Sequence, residues 1–264
     1  MNSKSITLLV ACFALLCMST QCRKENPPTG WENFNYPEVV FTNKAEGTEG
    51  WRIYERIIPN PEVFIQEHAL RVAQTLYFSD KDPNIPDIQK IIYDFENKDG
   101  ISAKAGDPPT IHIFYSSRWV EQIYNRDGEE ATLYETRGVL YHELVHGYQA
   151  QPRGCGVYAD GPKYEFWIFT EGLADAVRFH HGFFPESDRR PGGSWRDGYR
   201  RTGYFLQWLT TKDPDFLRKF NKTGVDFDVW SFDAAMQYIF GADVTTDKLW
   251  EEYQDFLIAL QPSN

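Results

Sequence analysis

The sequence predicts an α+β fold, with a small mixed sheet and a few helices in the N-terminal half and a mainly helical C-terminal half. Three observations carry that expectation. Short β-branched and aromatic runs cluster before residue 116. Five stretches with apolar residues at helical spacing follow Thr132. No internal repeat or low-complexity block divides the chain after residue 37, so one domain over 38–264 is expected.

In chain order, the segments 39–41 and 53–54 are strand candidates. Asn60-Pro61 supplies a cap and a first-turn proline for a helix over 60–78, with Val63, Phe64, Leu70, Ala73 and Tyr77 at helical spacing. The β-rich segments 88–95 and 111–115 are separated by Asp99-Gly100 and a Pro/Gly loop, and are expected to pair in one small sheet. Helices are then expected over 132–149, 166–181, 196–210, 232–240 and 246–260. The last of these places Leu249, Trp250, Tyr253, Leu257 and Leu260 on one face. A sheet-bearing half followed by a helical half leaves a cleft between them, where ligands commonly bind.

The 264 residues are 42% hydrophobic and 25% charged, enough to bury one sizeable core. The net charge is −11 and no basic run tracks a phosphate backbone, which argues against nucleic acid as a partner. The aromatic complement of 8 Trp, 15 Tyr and 19 Phe fits either core packing or sugar-stacking surfaces. At the N-terminus, Lys4 precedes the apolar run Ile6 to Met18, too short to span a bilayer and of signal-peptide length. A signal peptide over 1–21 is therefore expected. Ser19-Thr20-Gln21-Cys22 and the polar stretch behind it look like a bacterial lipoprotein signal, with Cys22 lipidated and 22–37 serving as a tether. The expected location is the bacterial cell envelope, with membrane contact through that anchor, or plain secretion without it. Cys12 and Cys17 leave with the signal, so Cys155 remains alone and no intrachain disulfide framework is possible.

The chemistry is concentrated at His142-Glu143-Leu144-Val145-His146. On a helix, i,i+4 spacing sets the two imidazoles about 40° apart and one turn along one face, where they can share a metal ion. A catalytic Zn2+ takes three protein ligands and leaves one position open. Glu171, 25 residues beyond His146 and on a second expected helix, is the candidate third ligand, although a first-turn glutamate can simply face solvent. Asp175, one turn further, can accept the free ring N–H of a metal-bound histidine or pair with Arg178 at i,i+3. Glu143 is the candidate general base, taking a proton from metal-activated water and passing it to the departing amine. Tyr199 is the candidate oxyanion donor and Tyr204 its rival; either can instead be a packing residue. His112, His180 and His181 read as non-ligands, and Cys155 has no partner at ligand spacing.

The motifs Tyr141-His142-Glu143-Leu144-Val145-His146-Gly147-Tyr148-Gln149, Glu171-Gly172-Leu173-Ala174-Asp175-Ala176-Val177-Arg178 and Asp197-Gly198-Tyr199-Arg200-Arg201-Thr202-Gly203-Tyr204-Phe205-Leu206, with Asp99-Gly100 and Ile111-His112-Ile113, resemble the plant and bacterial basic secretory protein family of peptidases. That family looks like a branch of the gluzincin metallopeptidases. The likeness covers nearly all of the chain after the tether. It implies a zincin-like fold, one zinc and hydrolysis of peptide substrates. Two features depart from it: the chain is acidic, and its segment between His146 and Glu171 is longer than in the compact plant forms. The competing reading is a catalytically silent surface lipoprotein with a structural zinc that binds glycans or a protein partner through its aromatics. The intact Glu143 argues for the enzyme.

Overall fold

The computed structural model describes residues 29–261. The expected signal peptide and Cys22 lie outside them. The order is β1 (Glu38–Lys44), α1 (Glu49–Ile57), α2 (Pro61–Leu76), β2 (Lys90–Glu96), β3 (Ser102–Ala105), β4 (Thr110–Ser116), α3 (Ser117–Tyr148), α4 (Glu165–His180), α5 (Tyr199–Leu209), α6 (Phe216–Asp226), α7 (Phe232–Phe240) and α8 (Thr246–Ala259).

The four strands form one mixed sheet in the order β1-β2-β4-β3. β1, β2 and β4 are parallel, and β3 runs antiparallel on β4 at the edge. Period-two alternation puts Ile91, Tyr93 and Phe95 of β2 on the same buried face as Ile111, Ile113 and Tyr115 of β4, directly opposite in register. α1 closes over this face, with the Tyr54 ring 4.4 Å from that of Phe95.

The strand expected at 53–54 is corrected by the structure: both residues are buried on helix α1. Their β-type side chains are outweighed by local capping, because the Thr48 side chain accepts from the Trp51 amide and Glu49 suits the first turn. The expected pairing of 88–95 with 111–115 is present, and it is parallel. β3 went unanticipated because Ser-Ala-Lys-Ala has neither β-branched nor aromatic residues. Two helical stretches were also missed. One is 117–131, joined to the expected helix through a bend at Gly128 (φ 84°) and capped by Ser116 on the Trp119 amide. The other is α6.

Two glycines set the distance between the elements that carry the candidate site. A Cβ on Gly147 would lie 2.8 Å from Ile111 Cδ1, so the helix end bearing His146 rests directly on the sheet. A Cβ on Gly203 would lie 2.7 Å from Asp175 Cβ and 2.9 Å from the Ala176 nitrogen, so α5 crosses α4 in close contact at Asp175. The rings of Phe169, Phe220, Trp230 and Phe232 pack at centroid spacings from 5.1 to 5.7 Å. These residues are buried, so a large part of the aromatic complement fills the core.

Buried His68 on α2 gives the fold a specific acid sensitivity. Its Nδ1 donates to the Phe64 carbonyl at 2.7 Å, and its ring lies 4.9 Å from that of Tyr141. Burial pushes its pKa down to about 4. The unfolded chain titrates this group near 6.5, so its protonation favours unfolding. The stability of the neutral form is fully present above about pH 6.5 and is lost towards pH 4 at about 1.4 kcal/mol per pH unit. Urea denaturation at pH 7, 5.5 and 4.5 is expected to show a stability loss on acidification that is steeper in the wild type than in His68→Phe by about one proton. Equal slopes in the two proteins would refute it.

Candidate metal centre

α3 presents His142 and His146 one turn apart, and α4 brings Glu171 against them. His142 Nε2 is 3.0 Å from His146 Nε2, and Glu171 Oε2 is 3.2 and 3.6 Å from the two nitrogens. Among the described residues, these three form the one group of side chains able to hold a metal ion. Tetrahedral bonds of about 2.0–2.1 Å place adjacent ligand atoms about 3.3 Å apart, and the three observed separations bracket that edge. Glu171 Oε2 is buried and has no hydrogen-bond partner, an expensive arrangement unless a cation receives its charge. The donor set therefore fits a metal.

Hydrogen bonds orient each of the three groups. His142 Nδ1 donates to Asp175 Oδ1 at 2.7 Å, which points Nε2 at Glu171 and His146. The Asp175–Arg178 pairing weighed from sequence is not formed; Arg178 Nη2 instead meets Glu135 Oε2 at 2.6 Å. Burial opposes charge on His142, but Asp175 and Glu171 outweigh it and raise its pKa to about 10. His146 goes the other way, down to about 3, through burial and the neighbouring His142 charge. A metal entering the site therefore displaces one proton, from His142.

Glu143 lines the same cleft, which encloses about 650 Å³, without belonging to the ligand group. It is 5% exposed, and its Oε1 accepts from Ser102 Oγ of edge strand β3 at 2.5 Å. Burial is the main cause of its carboxyl lying above the usual range.

Tyr199, at the start of α5, takes a left-handed φ of 40°, and its ring lies 6.0 Å from that of His142, nearly parallel. Burial, with the charges of Glu171, Asp175 and Glu143, pushes its hydroxyl up to about 12. The rival Tyr204 is 4% exposed and donates its hydroxyl to the Pro185 carbonyl at 3.1 Å. His112 faces outward on β4, and Cys155 lies against the Pro152 carbonyl.

Three residues at the site were not anticipated. Tyr158, in the long segment between His146 and Glu171, donates its hydroxyl to Glu171 Oε1 at 2.6 Å, leaving Oε2 to face the histidines. Ser102 holds Glu143 as described. The Gln149 side-chain nitrogen lies 3.0 Å from His146 Nδ1, while its buried Oε1 has no partner. A half-turn of this amide would let Nδ1–H donate to Oε1 and give His146 a free Nε2 lone pair. Gln149 was legible in principle, three residues beyond the second histidine. Tyr158 and Ser102 carry no spacing signal.

A family model described as peptidase of plants and bacteria (BSP) matches residues 37–253, which include every residue of this centre. The chain belongs to this family. No curated protein matches it. Membership of the BSP peptidases implies a peptide or protein substrate at the family level.

Proposed function

We propose that this protein is a zinc-dependent metallopeptidase whose metal is held by His142, His146 and Glu171. The observation that carries the reading is the spacing of the three donor atoms as one face of a tetrahedron, with Glu143 beside that face and off it. Bound zinc would supply Lewis acidity, polarising the scissile carbonyl and acidifying water. Glu143 removes the proton of the attacking water and returns it to the departing amine. Ser102 fixes the rotamer of Glu143, and Asp175 fixes the tautomer of His142. The Tyr199 hydroxyl, held protonated, donates to the developing oxyanion. β3 ends the sheet beside Glu143, so its outer edge can hydrogen-bond an extended peptide along the cleft.

A structural zinc site is usually closed by four protein ligands, whereas the described residues offer three here. That difference favours the enzyme over the silent scaffold. The test is hydrolysis of a mixed peptide library: cleavage that a chelator stops and zinc restores is expected, and its absence across the library would move the reading to the scaffold.

Two further outcomes follow from this reading. Tyr158→Phe and Asp175→Asn should each fold normally and lose on the order of 10- to 100-fold in zinc affinity, measured by competition with a chromophoric chelator. Unchanged affinity in both would remove these residues from the account. We also propose export with acylation of Cys22. The intact mass of the exported protein should carry the lipid, and an unmodified N-terminus beyond the apolar run would exclude it.

A further inference from the structure

Five of the fifteen arginines of this acidic chain fall within residues 189–201. Three of them, Arg190, Arg200 and Arg201, join Asp188, Tyr204, Trp250 and Tyr253 around a second pocket of about 420 Å³. Arg200 and Arg201 also line the cleft that holds His142 and Glu143, so the two spaces share a wall. They follow Tyr199, the residue whose ring faces His142.

The local carboxylates do not consume this charge. Arg200 meets Asp188 at 3.3 Å and Arg201 meets Asp197 at 3.1 Å, and all four side chains are about half exposed, so both pairs are weak and exchangeable. Arg190 has no carboxylate within salt-bridge distance among the described residues; it donates only to the neighbouring Arg189 carbonyl. Arg200 and Arg201 occupy the first turn of α5, which has no acidic residue and no side-chain cap. Cations there oppose the helix dipole. Arg201 also donates to the Gly192 carbonyl and Arg200 lies 4.5 Å over the Phe184 ring, contacts that hold the guanidinium groups without neutralising them, so an anion drawn into the pocket offsets the remaining charge. The aromatic walls lower the local dielectric relative to open surface, which strengthens that attraction. Guanidinium forks match a planar carboxylate with two parallel hydrogen bonds.

We propose that this arginine pocket is a substrate subsite that binds a carboxylate of the peptide, a short way along the chain from the scissile bond. The proposal rests on the peptidase reading of the adjoining cleft. The carboxylate can come from an Asp or Glu side chain or from the peptide's own C-terminus, and these differ in consequence: the first gives an endopeptidase with acidic preference, the second an enzyme acting near C-termini.

The experiment measures binding to zinc-loaded full-length Glu143→Gln, so that peptides are held and not cut. The probes are fluorescein-labelled Ala/Ser octapeptides in three forms: one Glu stepped through each position with an amidated C-terminus, Gln at those positions with a free C-terminus, and Gln with the amide. Anisotropy titration is expected to show about tenfold tighter binding of one carboxylate form than of the neutral form. Tighter binding of a Glu-amide peptide identifies a side-chain carboxylate, and tighter binding of the free-terminus peptide identifies the terminal one. Adding Arg190→Gln and Arg200→Gln should erase the preference, and Arg190→Glu should transfer it to a Lys-containing peptide. Equal binding of all three forms, or a preference that survives loss of both arginines, overturns the subsite. Hydrolysis by wild type is scored separately: a carboxylate preference without chelator-sensitive cleavage keeps the subsite and overturns the peptidase reading, whereas cleavage indifferent to carboxylates does the reverse.

Discussion

Glu143→Gln is expected to keep the fold and the zinc and to lose a factor of roughly 10² to 10⁴ in peptide hydrolysis, the contribution of one positioned base. The substitution is nearly isosteric, and the retained amide oxygen can still accept from Ser102 Oγ, so the rotamer and the packing of a residue only 5% exposed should survive. The amide cannot take a proton. Burial already holds the native carboxyl above the usual range, which makes it a stronger base than an exposed glutamate while it remains ionised. The variant separates proton transfer from metal binding because Glu143 contributes no atom to the ligand group. Rates of wild type and variant are compared at equal zinc occupancy. Chelator-sensitive cleavage at the wild-type rate in the variant would remove Glu143 as the base.

The second large effect concerns the metal. Purified protein should hold about one equivalent of zinc, and His142→Ala/His146→Ala should hold none at the same free zinc, because only Glu171 then remains of the three donors. Loss of the ion also exposes a stability contribution. A ligand at about 1,000 times its Kd stabilises the folded state by about 4 kcal/mol, and for a chain of this size each kcal/mol moves Tm by about 2–4 °C. A chelator is therefore expected to lower the Tm of the wild type by roughly 10 °C and to leave the double variant unchanged. Full zinc occupancy in the double variant would overturn the assignment. Neither substitution should disturb the sheet, since both imidazoles face the cleft side of α3, while Gly147 forms the contact with Ile111.

Much of this arrangement was legible before folding because it depends on local periodicity. His142, Glu143 and His146 lie within one and a half helical turns, and the helix geometry that relates them follows from residue spacing alone. Glu171 and Asp175 were legible for the same reason relative to each other, one turn apart on α4. The α7 boundaries, Phe232–Phe240, coincide with the expected segment because Ser231 caps the helix start on the Ala234 amide and Gly241 ends it. The expected strand at 53–54 failed where a two-residue signal competed with a capped helix.

The α+β class, the helices that carry the candidate ligands and the residue types able to share a metal all follow from local pattern in the chain. Which contacts form between those elements depends on tertiary packing. The α4–α5 crossing at Gly203 and the packing of α4 on α3 bring Asp175 to His142 and leave Arg178 to Glu135. The same packing faces Tyr199 towards His142 and turns the Tyr204 hydroxyl to Pro185. Tyr158 and Ser102 reach Glu171 and Glu143 from a short 3-10 helix and an edge strand 13 and 41 residues away. The physical reason is range: hydrogen bonds across an element follow from its period, whereas contacts between elements depend on how closely backbones can approach, and here glycines on α3 and α5 set that approach.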